Sequence, residues 1–186
     1  MVKSIFNPEI QEVSFDLTGC YSISIITQKT NHIEIEAEVG GTDKEDVVVT
    51  IEEDGNNLLV STVFQPNYLE RDTKFGALTF VSIELKVVVP ENARVKMFGA
   101  STNINAIGDF RLFSASLASG SCVLLGTAER AQIKTQKGNV LLKTNEGSIM
   151  ANSVYGKVTA AKIPEGIFTY ELSTVEGNIE IQRTKL

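Results

Sequence analysis

One imidazole, two distant thiols and a scatter of carboxylates and tyrosines are the chemistry-bearing groups of this 186-residue chain. A nucleophilic triad needs an imidazole to take the proton from the attacking group. His32, between Asn31 and Ile33, has no sequence tie to a serine or to either cysteine. It reads as a strand-end histidine. Cys20 and Cys122 lie about a hundred positions apart, with no C-x-x-C spacing and no neighbouring histidine. That excludes the familiar zinc motifs and predicts two buried free thiols, a disulfide staying open for an exported chain. Asp43, Glu45, Asp46, Glu52, Glu53 and Asp54 are dense enough to suggest a hard cation. Their spacing fails the EF-hand, and charged hairpin turns are common. No metal and no cofactor are expected.

Two further sets carry weaker chemistry. Asp109, Arg111, Glu129, Arg130, Lys134 and Lys143 could act on a polysaccharide if one sheet face gathered them. Alternating exposed charges that guard strands against edge pairing explain them without catalysis. Sugars stack on rings, so Tyr68, Tyr155 and Tyr170 are the expected exposed glycan contacts. Phe110 and Phe113 are expected in the core, and Phe98 and Phe168 complete the rings of the second half. With no Trp, such a platform is modest.

The elements that must position these groups are strands. The chain contains 18 Val, 17 Ile and 16 Thr, and β-branched side chains suit a pleated sheet better than a helix. No stretch holds an apolar i, i+3, i+4, i+7 pattern beyond about a turn. Ile33, Ile35, Ala37 and Val39 alternate with Glu34, Glu36 and Glu38, giving a half-buried strand. Val47, Val49 and Ile51 alternate in the next, which ends at Glu53-Asp54-Gly55-Asn56 and turns directly into Leu58–Phe64. Thr42 and Glu45 have capping-box spacing for one helical turn. The 79–89 segment is expected to be the longest strand, stopped by Pro90, and 66–76 is the long irregular segment.

From about residue 100 a glycine punctuation sets in. Gly138-Asn-Val, Gly147-Ser-Ile and Gly156-Lys-Val follow one another at nine-residue intervals, and Gly177-Asn-Ile repeats the unit after an insertion with Pro164. Gly108-Asp-Phe and Gly120-Ser-Cys are looser copies. Glycine permits backbone angles closed to other residues, and the apolar residue that follows points inward. Nine residues are too few for a complete coil, so two units are expected to make one rung of a flattened stack. Asn103, Asn105, Asn139, Asn145, Asn152 and Asn178 are expected to hold turns rather than to stack.

These repeats, with the Val87–Lys96 segment before them and the opening 10–39 strands, resemble the bacterial "putative adhesin" family, domains of unknown function related to autotransporter adhesin heads. The resemblance runs from about residue 10 to the end. It implies a β-solenoid-like fold, frequent surface display and no catalytic residue to carry over.

Charge narrows the partners. A net charge of −6 and a pI near 4.9 argue against nucleic acid and against anionic membrane surfaces. No apolar run approaches the roughly 20 residues of a membrane-spanning helix. The first ten residues hold no apolar core of a signal peptide, so export is expected only if a leader has been removed. The chain reads as one all-β domain, residues 1–186: long strands over about 1–98, then a Gly-repeat solenoid over about 99–186. Its expected role is non-enzymatic binding of a surface glycan or protein. The alternatives are a polysaccharide lyase or hydrolase on the solenoid face, and an intracellular scaffold that homo-oligomerises through a solenoid end.

Overall fold

The computed structural model describes residues 2–41, 47–64 and 81–184. Among them there is no helix. Fifteen strands make one hydrogen-bonded open sheet, through which two ladders can be traced. The first ladder begins with β1 (Val2–Ile5), β4 (Ile33–Gly41), β7 (Val81–Pro90) and β3 (Ser22–Gln28), in that spatial order. It continues through β9 (Asn103–Ser119), β10 (Cys122–Lys137), β11 (Val140–Thr144), β15 (Ile179–Arg183) and β13 (Val158–Ala160). The second ladder runs from β5 (Val47–Asp54) and β6 (Asn57–Phe64) to β2 (Glu12–Asp16) and β8 (Ala93–Ser101). It shares β9 and β10, then ends with β14 (Thr169–Glu176) and β12 (Ser148–Ser153).

β9 and β10 belong to both ladders because they are 17 and 16 residues long. The start of β9 pairs with β3 and its remainder with β8. This corrects two expectations: the longest strands are not at 79–89, and long strands are not confined to residues before about 98. Gly108 and Gly126, at φ +122° and +134°, redirect the backbone without ending the pairing. They stack directly, because a Cβ on Gly126 would strike the Gly108 carbonyl.

Alternate residues of both ladders meet in one core, including Ile23, Ile25, Leu85 and Val87 from the first and Phe15, Val95, Met97 and Phe113 from the second. Apolar burial of this extent, at roughly 25 cal/mol per Å², dominates the favourable side of folding. The alternation in β4 and β7 is as the sequence predicts, with Ile33, Ile35 and Ala37 buried opposite Leu85 and Val87. β5 and β6 form the expected antiparallel hairpin, with Gly55 at φ +58° in its two-residue turn. The segments 42–46 and 65–80, which hold the capping-box pair and the long irregular stretch, lie outside the described residues.

The β9–β10 and β10–β11 registers are both offset by 18 residues (Ile104 to Cys122, Cys122 to Val140), which is twice the nine-residue unit. After β11 the chain order breaks. β15 inserts between β11 and β13, and β14 between β10 and β12. The Gly156 unit therefore does not lie on the Gly138 unit, as the equal spacing predicts; the Gly177 unit separates them. The first half is interleaved in the same way, with β2 between β6 and β8 and β3 between β7 and β9.

One corner explains the glycines. A Cβ on Gly120 would land on the carbonyl of Thr102, and one on Gly138 on that of Gly120. The same holds for Gly177 against Gly138 and for Gly156 against Gly177. The column exists because successive backbones approach too closely for any side chain. Gly147 stands apart from it, its absent Cβ making room for the Tyr170 ring. Next to the column the asparagines both hold the turn and stack. Asn103 Oδ1 accepts from the Ser121 N–H at 3.2 Å and its hydroxyl at 2.8 Å. Asn139 Oδ1 accepts from the Asn178 N–H at 2.8 Å, and Asn178 Oδ1 from the Lys157 N–H at 2.9 Å.

Candidate functional site

The groups singled out for chemistry separate in space. Both thiols are free and buried. Burial pushes Cys20 up to about 11, against the lowering effect of backbone hydrogen bonding at Ser22, and pushes Cys122 up to about 12. A thiol held protonated in this way is a poor nucleophile at neutral pH. Among the described residues no three His, Cys, Asp or Glu side chains gather as a metal site, while Asp43, Glu45 and Asp46 lie outside them. The polysaccharide-directed set does not share a face. Lys143 stands on β11 in the first ladder, Arg130 and Lys134 on the part of β10 in the second. Arg111 pairs with Glu129 at 3.5 Å and Arg130 with Glu171 at 3.4 Å, while Asp109 accepts from the Thr127 hydroxyl.

The tyrosines divide too. Tyr68 lies outside the described residues. Tyr155 is a surface ring, 79% exposed in the turn after β12. Tyr170 is a correction: it is fully buried and holds the two ladders together. Its hydroxyl lies 2.9 Å from Thr144 Oγ1 on β11 and accepts from the Ala128 N–H on β10 at 3.3 Å. Burial raises its pKa above the usual tyrosine value. Alternation alone hides this, because a buried ring with a satisfied hydroxyl has the same sequence signature as an exposed one. Phe110 and Phe113 are buried edge to face as expected, 5.3 Å between centroids, whereas Phe98 is exposed and Phe168 packs partly on the core.

The concavity best suited to a ligand lies at a corner of the sheet that Tyr155 and Tyr170 do not line. It has a volume of about 570 Å³ and is bounded by the 5–13 segment, the Thr30–Ile33 turn, the Pro90–Arg94 turn and Arg111. The Phe6 ring stacks on His32 at 4.8 Å and is largely exposed. His32 Nδ1 is 2.6 Å from Thr30 Oγ1, and its Nε2 is 3.9 Å from Glu34. The latter distance is beyond the roughly 2.6–3.2 Å at which a carboxylate orients a catalytic imidazole. Asn92, at φ +61°, turns the chain and donates its N–H to the Asp109 carbonyl at 2.9 Å, which fixes the entry to β8. Arg94 follows, exposed and without a hydrogen-bond or ion-pair partner among the described residues. With Asn7, Gln11 and Asn31 also on the wall, the cleft offers amides, a guanidinium and an aromatic stack over an apolar floor of Ile5, Ile10 and Val13.

Sequence reasoning passes over this site, since its residues come from four separate stretches with no shared spacing. It also passes over an apolar row on the outer side of the first ladder: Val88, Ile26, Ile107 and Leu125 on four adjacent strands, between Glu34 and Lys143. The signal for that row is legible in Ile25-Ile26, Val87-Val88-Val89 and Leu124-Leu125, where doublets interrupt the period-two pattern.

No family model matches the sequence, and no curated protein matches it. A solved structure does share the fold. A crystal structure of a "putative cell adhesion protein" from Clostridium sporogenes superposes with a TM-score of 0.70 over 99% of both chains, at 10% identity. A "putative adhesin" from Bacteroides fragilis gives 0.38 over 99% of this chain and 96% of its own, also at 10% identity. At such identity the first similarity defines the fold class, an all-β architecture shared along the whole chain.

Proposed function

We propose that this chain is a non-enzymatic, adhesin-like binding module on a flattened β-solenoid, and that the corner cleft beside His32 takes a surface glycan. The observation that carries the reading is Arg94, without a partner among the described residues, on the wall of a 570 Å³ cleft beside the exposed Phe6 ring stacked on the half-buried His32. Hydroxyl-rich ligands are held by planar amides and guanidinium forks, with a ring for the apolar sugar face. The name of the Clostridium sporogenes neighbour supports cell adhesion as the setting. The 18-residue parallel registers and the glycine column support the solenoid. The raised thiol pKa values and the lone, loosely placed imidazole support a role without turnover.

A glycan array followed by titration calorimetry tests the site. Arg94→Ala and Phe6→Ala should each weaken the selected glycan by about tenfold, equivalent to roughly 1.4 kcal/mol. Binding that neither substitution changes moves the ligand elsewhere. Release of a cleaved product overturns the non-enzymatic reading.

A further inference from the structure

The two ends of the stack are finished differently, and the end formed by β12 and β13 is open. Among the described residues β12 pairs only with β14, and β13 only with β15. Hydrogen bonds show which groups are left over. Ser148 and Val154 donate inward to the Phe168 and Thr174 carbonyls, so the alternate residues Ile149, Ala151 and Ser153 aim their N–H and C=O outward. On β13, Ala161 donates inward to the Ile181 carbonyl and the Lys157 carbonyl accepts from Ile179, so Val158 and Ala160 face the free side. Two rows of unpaired backbone groups, one per ladder, end the sheet together.

The core between them is only partly covered, by half-buried Ile149, Ala151, Ile163 and Phe168. Ile149 and Ala151 are in register with the buried Tyr170 and Leu172, and Val158 and Ala160 with the buried Ile179 and Ile181. The inner members of each pair are at most 4% exposed, whereas Val158 is 43% exposed. Tyr155 (79%) and Ile167 (86%) extend this apolar end.

Edge backbone accepts only another extended backbone, and proteins normally blunt or cover such edges. A single added strand would serve one ladder and leave the other still open. The occupant must bring two strands at the separation of the two ladders, with apolar side chains between them. The same end of a second copy has that layout. A two-fold axis across the stack sets each free edge antiparallel to a free edge of the other copy and leaves neither exposed. The charges flanking this end are Glu146 and Glu165 against Lys157 and Lys162, two of each sign, so two copies meet without net repulsion. At the opposite end Glu52, Glu53 and Asp54 close β5, which disfavours the same pairing on that ladder. We propose that β12 and β13 are the docking edge for a second copy of this chain, giving a closed two-fold dimer with both ladders continuous through it.

Light scattering coupled to size-exclusion chromatography tests this on the full chain. The unaltered protein should have twice the 20.2 kDa chain mass. Ala151→Pro with Ala160→Pro removes only outward N–H groups and should give the single-chain mass with an unchanged far-ultraviolet circular dichroism spectrum. Val158→Lys, at a position already half exposed, gives the same result without proline and covers failure of the proline variant to fold. A single-chain mass for the unaltered protein at every concentration overturns the proposal. So does a dimer that survives Val158→Lys, or a mass that grows without limit, which would place this end against the opposite one. Arg94→Ala should leave the dimer mass untouched, so failure of the glycan reading and failure of the dimer are separately visible.

Discussion

Gly55 and Gly138 are both glycines at turns, and they show how differently the two halves of the molecule set their register. In the antiparallel hairpin of β5 and β6 the turn faces open space. Gly55 has nothing within 4 Å of where its Cβ would be and is required only for its φ of +58°. In the parallel stack the backbone of the preceding turn fills that space, and Gly138 would drive a Cβ into the Gly120 carbonyl. Local turn chemistry aligns the hairpin. The parallel strands have no shared turn to align them, so contact between successive turns does it instead.

Substitution at the crowded corner should have the largest effect. Gly138→Val should destabilise by more than about 4 kcal/mol, because the Gly120 backbone it would strike must move. Urea denaturation of a soluble variant, or its failure to fold, checks this; wild-type stability would mean that the turns do not stack.

The thiols sharpen the contrast next. Cys20 sits in the turn between β2 and β3 and Cys122 at the start of β10, and both have folded pKa values above the ordinary 9.0. The folded chain keeps protons that the unfolded chain releases, so the associated stability is intact below pH 9 and is lost as pH rises toward the folded values. The slope is about 1.4 kcal/mol per pH unit for each thiol in that window. Cys122→Ala should flatten the alkaline limb further into high pH than Cys20→Ala, as read from denaturation midpoints across that range.

Tyr170 measures the coupling between ladders. Tyr170→Phe leaves the ring in place but strands the Ala128 N–H and weakens the Thr144 contact, at a cost of about 1–2 kcal/mol. Thr144→Val in the Tyr170→Phe background should then cost less than it does alone, which a double-mutant cycle reads directly. The smallest effect belongs to the open turn: Gly55→Ala should cost about 1 kcal/mol, from left-handed backbone alone.

The strands themselves were legible because alternation is a local property. Ile33, Ile35, Leu85 and Val87 are buried where period two puts them. The 18-residue register was legible as two nine-residue units. Spatial order was not. Gly156 follows Gly147 at the same interval that separates Gly147 from Gly138, yet β15 lies between β11 and β13. Equal spacing reports equal strand geometry, not adjacency, and Gly177 carries the same signature as Gly156. The candidate site was harder still. Phe6, His32, Asn92 and Arg94 converge through strand pairing across tens of residues, antiparallel from β1 through β4 to β7 and parallel from β2 to β8, and none stands in a pattern with another. Tyr170 was misplaced for a related reason: its partners Thr144 and Ala128 are 26 and 42 positions away.

The interleaving of β14 and β15 has a consequence for how the chain reaches this state. A stack built in chain order can close one layer at a time as residues emerge, each on the layer before it. Here the outermost strands β12 and β13 are made first, and the strands they rest on come last. Until residues 169–183 are available, β12 and β13 have no sheet neighbour to hold them, and β10 and β11 carry open edges. Closure of this end must therefore be a late, concerted event with long-range pairing and a correspondingly slow rate. A ribosome paused before residue 169 would present an unfinished sheet edge to its surroundings, the state in which strands are most prone to pair with the wrong chain.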